Sequence, residues 1–187
     1  PYAMAIKKDT AVWPPGEGPL PPRPYMGKGR RPTKLRRDED HTPITVYDLA
    51  KRLSDDEWTE MSWREGTKGL MSSRFAMLRV RPSHQDNLRE TPREEEWLLI
   101  EWQRKQSSPE GYWLSTLSYD ATLEMLVRLI KVRWRVERDY QELKSEFGLD
   151  HFEGRSWRGL HHHWALSIAS YAFMAAERAI LSPPQAL

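Results

Sequence analysis

Cysteine is absent from the 187 residues. That absence excludes a disulfide framework and any thiolate metal site, and it suits a reducing cytoplasm. No apolar run approaches the roughly 18 residues that a membrane-spanning helix needs. An excess of one charge is also missing. Lys and Arg number 29 against 27 Asp and Glu, so the net charge is only +2 and any basicity must be local. There is no internal repeat. What remains is a globular composition with a wet surface, 39% hydrophobic and 30% charged. The length suffices for one ordinary domain or somewhat more, which as a complete fold should bury roughly 70% of its unfolded surface.

The chain opens on Pro1 and runs directly into Tyr2-Ala-Met-Ala-Ile6, a short apolar segment that predicts a buried core strand. Such a strand needs neighbours on both sides, so the expectation is the C-terminal part of something longer. Residues 13–32 hold seven of the fourteen prolines and predict an extended connector. Lys28 to Arg37 then packs six cations into ten residues. Val46, Leu49 and Leu53 recur at helical spacing over 45–53. Residues 57–118 read as mainly β, with strands expected at 73–82, 97–102 and 112–117. A helix is expected over 121–147, capped by Ser118 or Asp120 and ended by Gly148, with Leu129, Val132, Val136, Tyr140, Leu143 and Phe147 as its buried stripe. A second helix, 160–181, is apolar nearly all round and should be buried from several sides. The order predicts an α+β or α/β fold in four parts: a strand at 1–12, a proline-rich basic linker at 13–44, a β-rich block at 45–118 and a helical part at 119–182.

On a helix, Arg133, Glu137 and Lys144 lie at i, i+4 and i+11. At about 100° per residue they fall within roughly 40° of one another. A lone carboxylate between two cations on one face suits a metal ligand with phosphate clamps. On geometry alone it better suits a solvated row of ion pairs.

That spacing resembles the Y-x2-R-x3-E-x6-K signature of bacterial insertion-sequence transposases of the DDE class. Arg133, Glu137 and Lys144 fit it without a gap, while Ile130 stands where the tyrosine belongs. The following Gly148-Leu-Asp-His-Phe-Glu-Gly-Arg155-Ser-Trp-Arg158-Gly-Leu-His-His-His163 looks like the same group, and the likeness runs from the first residues to about residue 180. The resemblance implies a partial ribonuclease-H-like core with a β-rich insertion ahead of the glutamate helix. It implies metal-dependent cleavage and joining of DNA, with Mg2+ (or Mn2+) held by three carboxylates, of which Glu137 matches the third. Two hard cations about 4 Å apart can activate the attacking oxygen and stabilise the leaving one. The family's two aspartates should lie upstream of Pro1, so this chain alone is expected not to cleave DNA. Asp48 and Asp120 are better read as a helix-start residue and a cap. The family pattern further implies a synaptic homo-oligomer and a cytoplasmic, nucleoid-associated setting in bacteria.

By the same resemblance, Arg133 and Lys144 would contact DNA phosphates; the alternative is pairing with Glu137 and Glu142 or with solvent. The segment carrying Arg30, Arg31, Lys34, Arg36 and Arg37 could track a DNA backbone, or be a solvated linker leading into Asp38-Glu-Asp40. Trp63, flanked by Arg64 and Lys68, could stack on an unpaired base, or be a half-buried sheet residue. Arg155 and Arg158 could touch backbone phosphates. His161-His-His163 does not suit a metal, because consecutive helical residues point about 100° apart. A retained, non-catalytic DNA-binding module is the competing reading. It would have to fold alone, whereas an incomplete enzyme should expose the apolar faces of its strand and helices.

Overall fold

The computed structural model describes residues 1–66 and 69–181, with the backbone alone at 64–66, 69–70 and 133–135. The chain divides into two compact units, 1–130 and 131 onward.

The first unit is built on a seven-stranded sheet whose strand pairs are all antiparallel. Its strands are β1 (Ala3–Ala5), β2 (Ala11–Trp13), β3 (Ile44–Thr45), β4 (Thr59–Gly66), β5 (Gly69–Pro82), β6 (Glu96–Trp102) and β7 (Gly111–Ser115). The order is β1-β7-β6-β5-β2-β3. β5 carries the sheet. Its first half pairs with β4 from Thr59↔Phe75 to Gly66↔Gly69, and its last residues pair with β2. Its other edge pairs with β6 along Arg74–Val80. The strands expected at 73–82, 97–102 and 112–117 are therefore present. β5 is longer than its apolar pattern suggests because β4 continues the ladder past it.

The alternation along β5 and β6 sends side chains to two separate cores. Val80 and Leu98, with Val12, Val46, Leu49, Ala50, Ile100, Tyr112 and Leu114, form one buried cluster beneath helix α1 (Val46–Arg52). Phe75 and Leu99 form the other with Leu126 and Val127 of helix α2 (Leu123–Lys131). α1 begins where expected. Thr45 is its N-cap, its hydroxyl accepting from Asp48 N–H at 3.0 Å, so Asp48 is the helix-start residue that the sequence suggests. The cap of α2 is Thr122, not Ser118 or Asp120: Met125 N–H donates to the Thr122 hydroxyl at 3.2 Å. Asp120 instead accepts from Ser118 in the preceding turn.

Three expectations are corrected. Tyr2–Lys7 is not a buried core strand. β1 is an edge strand bonded to β7 alone, and Met4 is exposed. The helix over 121–147 is two helices, α2 and α3 (Arg133–Ser145), parted at Val132. The face that docks on the sheet is Leu123, Leu126, Val127 and Ile130, at i, i+3, i+4 and i+7, whereas Leu129, Val132, Val136 and Tyr140 are exposed. Lastly, α4 (Trp157–Leu181) is not buried from several sides. Only Ser167 is buried, because within its unit α4 packs against α3 alone.

The proline-rich stretch after β2 is anchored at both ends. Leu20 and Arg36 form a bridge. Beyond it, Arg37 donates through Nε (3.0 Å) and Nη2 (2.6 Å) to Oδ1 of Asp86, which is 1% exposed. Trp13 Nε1–H donates to the other carboxylate oxygen at 2.9 Å, and the fully buried Trp13 ring stacks on His41. Removing Arg37 would leave a buried carboxylate without its cation. Arg37→Ala should therefore cost about 3–5 kcal/mol in denaturant unfolding. Arg36→Ala, whose partner Asp38 is solvated, should leave the transition nearly unmoved.

Tyr112 is buried with its hydroxyl lacking a hydrogen-bond partner among the described residues. Burial, reinforced by Tyr47 and Asp48, pushes its phenol up from 10.0 to about 12. A phenol held protonated in the fold contributes its full share of stability below pH 10.0 and loses it as the pH rises through about 12. Tyr112→Phe should match or exceed the native stability at neutral pH, by up to about 1–3 kcal/mol. It should also lessen the loss of stability in that alkaline window, read from melts at stepped pH.

Candidate functional site

α3 presents the signature residues on a single helix. The backbone of Arg133 opens it, Glu137 is exposed in its middle, and Lys144 sits in its last turn. A cation there complements the helix dipole. The Lys144 ammonium also lies 4.6 Å from the centre of the Tyr140 ring, one turn earlier, so its alkyl stem is laid along the helix rather than swinging free.

The chain leaves α3 through Gly148, as the sequence suggests. Gly148 has φ +61, and Leu149 N–H reaches back across the turn to the Leu143 carbonyl at 3.0 Å. A ring nitrogen of His163 lies 2.7 Å from the Gly148 carbonyl, tying this turn to α4. His161 packs edge-on against Trp157 and Trp164. His161 and His163 thus have packing roles, and among the described residues no group of three or more His, Asp or Glu converges on a metal position. α4 starts at Ser156, whose hydroxyl accepts from Gly159 N–H at 3.0 Å. Arg155 and Arg158 flank this start and are exposed.

α3 and α4 are held together by few but specific contacts. Arg178 donates to Glu142 at 2.5 Å, and Phe147 meets Tyr171 edge to face at 5.6 Å. Burial raises the Tyr171 phenol above its ordinary range, and a hydrogen bond with Asp139 raises it further. Glu142 is thereby committed to Arg178. The pairing of Lys144 with Glu142 that the sequence leaves open is not among the ion pairs of the described residues.

The basic segment is less available than its composition suggests. Arg37 is locked to Asp86, Arg36 holds Asp38, and Lys34 faces Glu90 at 3.5 Å across an exposed surface. The Arg36 hydrogen bond keeps the Asp38 carboxyl below its usual range. Arg30 and Arg31 are exposed. Trp63 sits at the irregularity where the β4–β5 register shifts between Ser62 and Arg64. Such a bulge re-aims the side chain. Here it places the indole edge-on to buried Phe75, ring centres 5.7 Å apart, within the α2-side core. That is the half-buried sheet position. The Arg64 side chain and Lys68 lie outside the described residues.

Residues 1–70 match the family model of the DDE superfamily endonucleases. Comparison with curated proteins and with solved structures found no match. The similarity is to DDE superfamily endonucleases and covers 70 of the 187 residues. It spans β1 to β4 and stops short of α3, so the Arg133–Glu137–Lys144 pattern stands beside it as a separate observation. The described carboxylates do not by themselves fit a magnesium site. Glu137 lies in no acidic cluster, Asp48 caps α1, and Asp120 belongs to a turn.

Sequence reasoning missed the aromatic residues that surround Lys144, chiefly Phe152 and Trp164. The glycines at 154 and 159 on either side of the Arg155–Arg158 loop are the signal that could have found them, because they make room for a ring. The turn itself is testable. A Cβ at Gly148 would add left-handed strain and sit 3.2 Å from His151 Nδ1. Gly148→Ala should destabilise the α3–α4 unit by about 1–2 kcal/mol, read as earlier hydrogen exchange in α3.

Proposed function

We propose that this chain works as part of a DDE-type transposase, contributing the β-rich unit and the helix that carries Glu137, while the remaining two metal-binding carboxylates come from residues outside this sequence. The observation that carries the reading is the coincidence of two independent features: the family match over residues 1–70 and the R-x3-E-x6-K pattern on one unbroken helix, α3. On this reading the fold completes a ribonuclease-H-like core, and Glu137 is the third metal ligand. Arg133, Lys144, Arg155 and Arg158 hold DNA phosphates. Arg30 and Arg31 extend that contact from the basic segment, and the enzyme assembles as an oligomer on DNA ends.

The exposed apolar surface supports the same reading. α4 has thirteen consecutive residues without a charge, Trp164 to Ala176, and Leu166, Ile168 and Phe173 among them face solvent. A soluble fold seldom leaves so continuous an apolar face uncovered. A second reading, a DNA-binding module without catalysis, draws its support from the first unit, which has a core on each face of its sheet.

The chemistry available to the described side chains is phosphate binding. Guanidinium groups suit paired contacts to phosphate oxygens, and the Lys144 ammonium acts as a point charge. The purified chain is therefore expected to bind short DNA with an affinity that falls steeply with salt, and not to nick it with Mg2+ or Mn2+. Each phosphate contact removed by Arg158→Ala or Lys144→Ala should lower the salt slope by about one. Metal-dependent nicking abolished by Glu137→Ala would mean that the chain is catalytically complete. Absence of DNA binding at low salt would overturn both readings.

A further inference from the structure

Beyond the Leu20–Arg36 bridge, in the first unit, residues 21–34 form a loop that contains neither helix nor strand. Its base is fixed. Leu20 and Arg36 exchange two backbone hydrogen bonds, of 2.9 and 3.0 Å, and the N–H of buried Leu35 donates to the Arg89 carbonyl at 2.9 Å. Just past the base, Arg37 is locked to buried Asp86. From there a loop of this length can project up to about 20 Å. Pro21, Pro22 and Pro24 stiffen the outgoing limb, and Pro32 biases Arg31 to extended backbone on the return. At the tip, Gly27 and Gly29 have φ +80 and +76, and the Tyr25 hydroxyl donates to the Gly29 carbonyl at 3.3 Å. A Cβ at either glycine would meet nothing within 4 Å. The two glycines therefore serve the turn rather than any packing, and they leave the tip thin.

The cations of the segment divide between base and tip. Lys34, Arg36 and Arg37 face Glu90, Asp38 and Asp86. Lys28, Arg30 and Arg31 are exposed, and among the described residues no ion pair involves them. Any row of phosphates would attract such a tip, but two features favour the floor of the minor groove. That groove is about 6 Å wide, which is too narrow for a helix and wide enough for an extended strand flanked by glycine. Two of the three cations are guanidinium groups, which are planar and less strongly hydrated than an ammonium and so enter a confined site more readily. A·T-rich DNA has a narrow minor groove of enhanced negative potential, whereas each G·C pair places an amino group in it.

We propose that Arg30 and Arg31 enter the minor groove of A·T-rich duplex DNA, so that this loop gives the chain a preference for base composition in addition to its phosphate contacts. The proposal rests on the DNA reading above and names the kind of duplex that the first unit selects.

The test compares three labelled duplexes of equal length on the full chain by fluorescence anisotropy at one salt concentration. They are built of A·T, G·C and inosine·C pairs. Inosine lacks the amino group of guanine, so its pair with C presents the minor-groove pattern of A·T and the major-groove pattern of G·C. The native chain should bind the A·T and inosine·C duplexes about tenfold more tightly than the G·C duplex, the size of one specific base contact. Arg30→Lys combined with Arg31→Lys keeps the charge. It should bring the three affinities together while leaving G·C binding and its salt slope unchanged. Equal affinity of the native chain for all three duplexes would overturn the minor-groove placement and leave the DNA reading standing. So would inosine·C binding that follows G·C, which marks major-groove readout, or a preference that survives both Lys substitutions, which assigns it to other residues. Failure of the native chain to bind any duplex at low salt would remove the DNA reading and the role of the loop with it.

Discussion

The first unit depends on one buried carboxylate. Asp86 accepts from the Trp13 indole with one oxygen and from the Arg37 guanidinium with the other. Those three residues belong to β2, to the end of the basic segment and to the turn after β5. One charge therefore joins parts of the chain that are 49 and 73 residues apart. Without it, β2 would be held to β5 by a two-residue ladder, Val12↔Pro82 and Trp13↔Arg81. A proline-rich connector has little regular hydrogen bonding of its own, so its path is set where its ends are fastened. A buried pair is weak evidence for stability in absolute terms. It is strong evidence for uniqueness of position here, because removing Arg37 leaves the Asp86 carboxylate buried without its cation.

That anchoring changes how the basic segment should be understood. Six cations in ten residues look like a continuous electrostatic surface, yet the fold assigns them different tasks. Arg37 is structural, Arg36 and Lys34 are partnered at the surface, and Arg30 and Arg31 remain exposed at the tip. A phosphate backbone approaching this segment would meet the tip first. Of the acidic residues that follow, Asp38 holds Arg36.

The second unit is organised by different forces. α3 and α4 meet through Phe147 on Tyr171 and through Glu142 on Arg178, and the Gly148 turn sets their connection. Glycine at 148, 154 and 159 leaves space that larger residues would fill, and Phe152 occupies part of it. The result places aromatic surface beside Lys144 at the end of the helix that carries Glu137.

Much of this was legible in the chain itself. Alternation announced β5, since a pleated strand repeats every two residues whatever surrounds it, and strand-forming residues announced β6. Gly148 announced a helix end, because capping is a local matter of one positive φ. The Arg133–Glu137–Lys144 spacing needed only a helix to become a stripe. Tertiary structure decided which apolar stripe is used. Leu123, Leu126, Val127 and Ile130 dock while Leu129, Val132, Val136 and Tyr140 do not, and both sets have helical spacing. Sequence shows that a face is apolar, but burial depends on whether another element lies opposite it. The same holds for Tyr2–Lys7, which has the composition of a core strand and the position of an edge. It holds most of all for Asp86 and Arg37, unremarkable as letters and decisive as partners, because an ion pair between residues far apart in the chain exists only once the fold has brought them together.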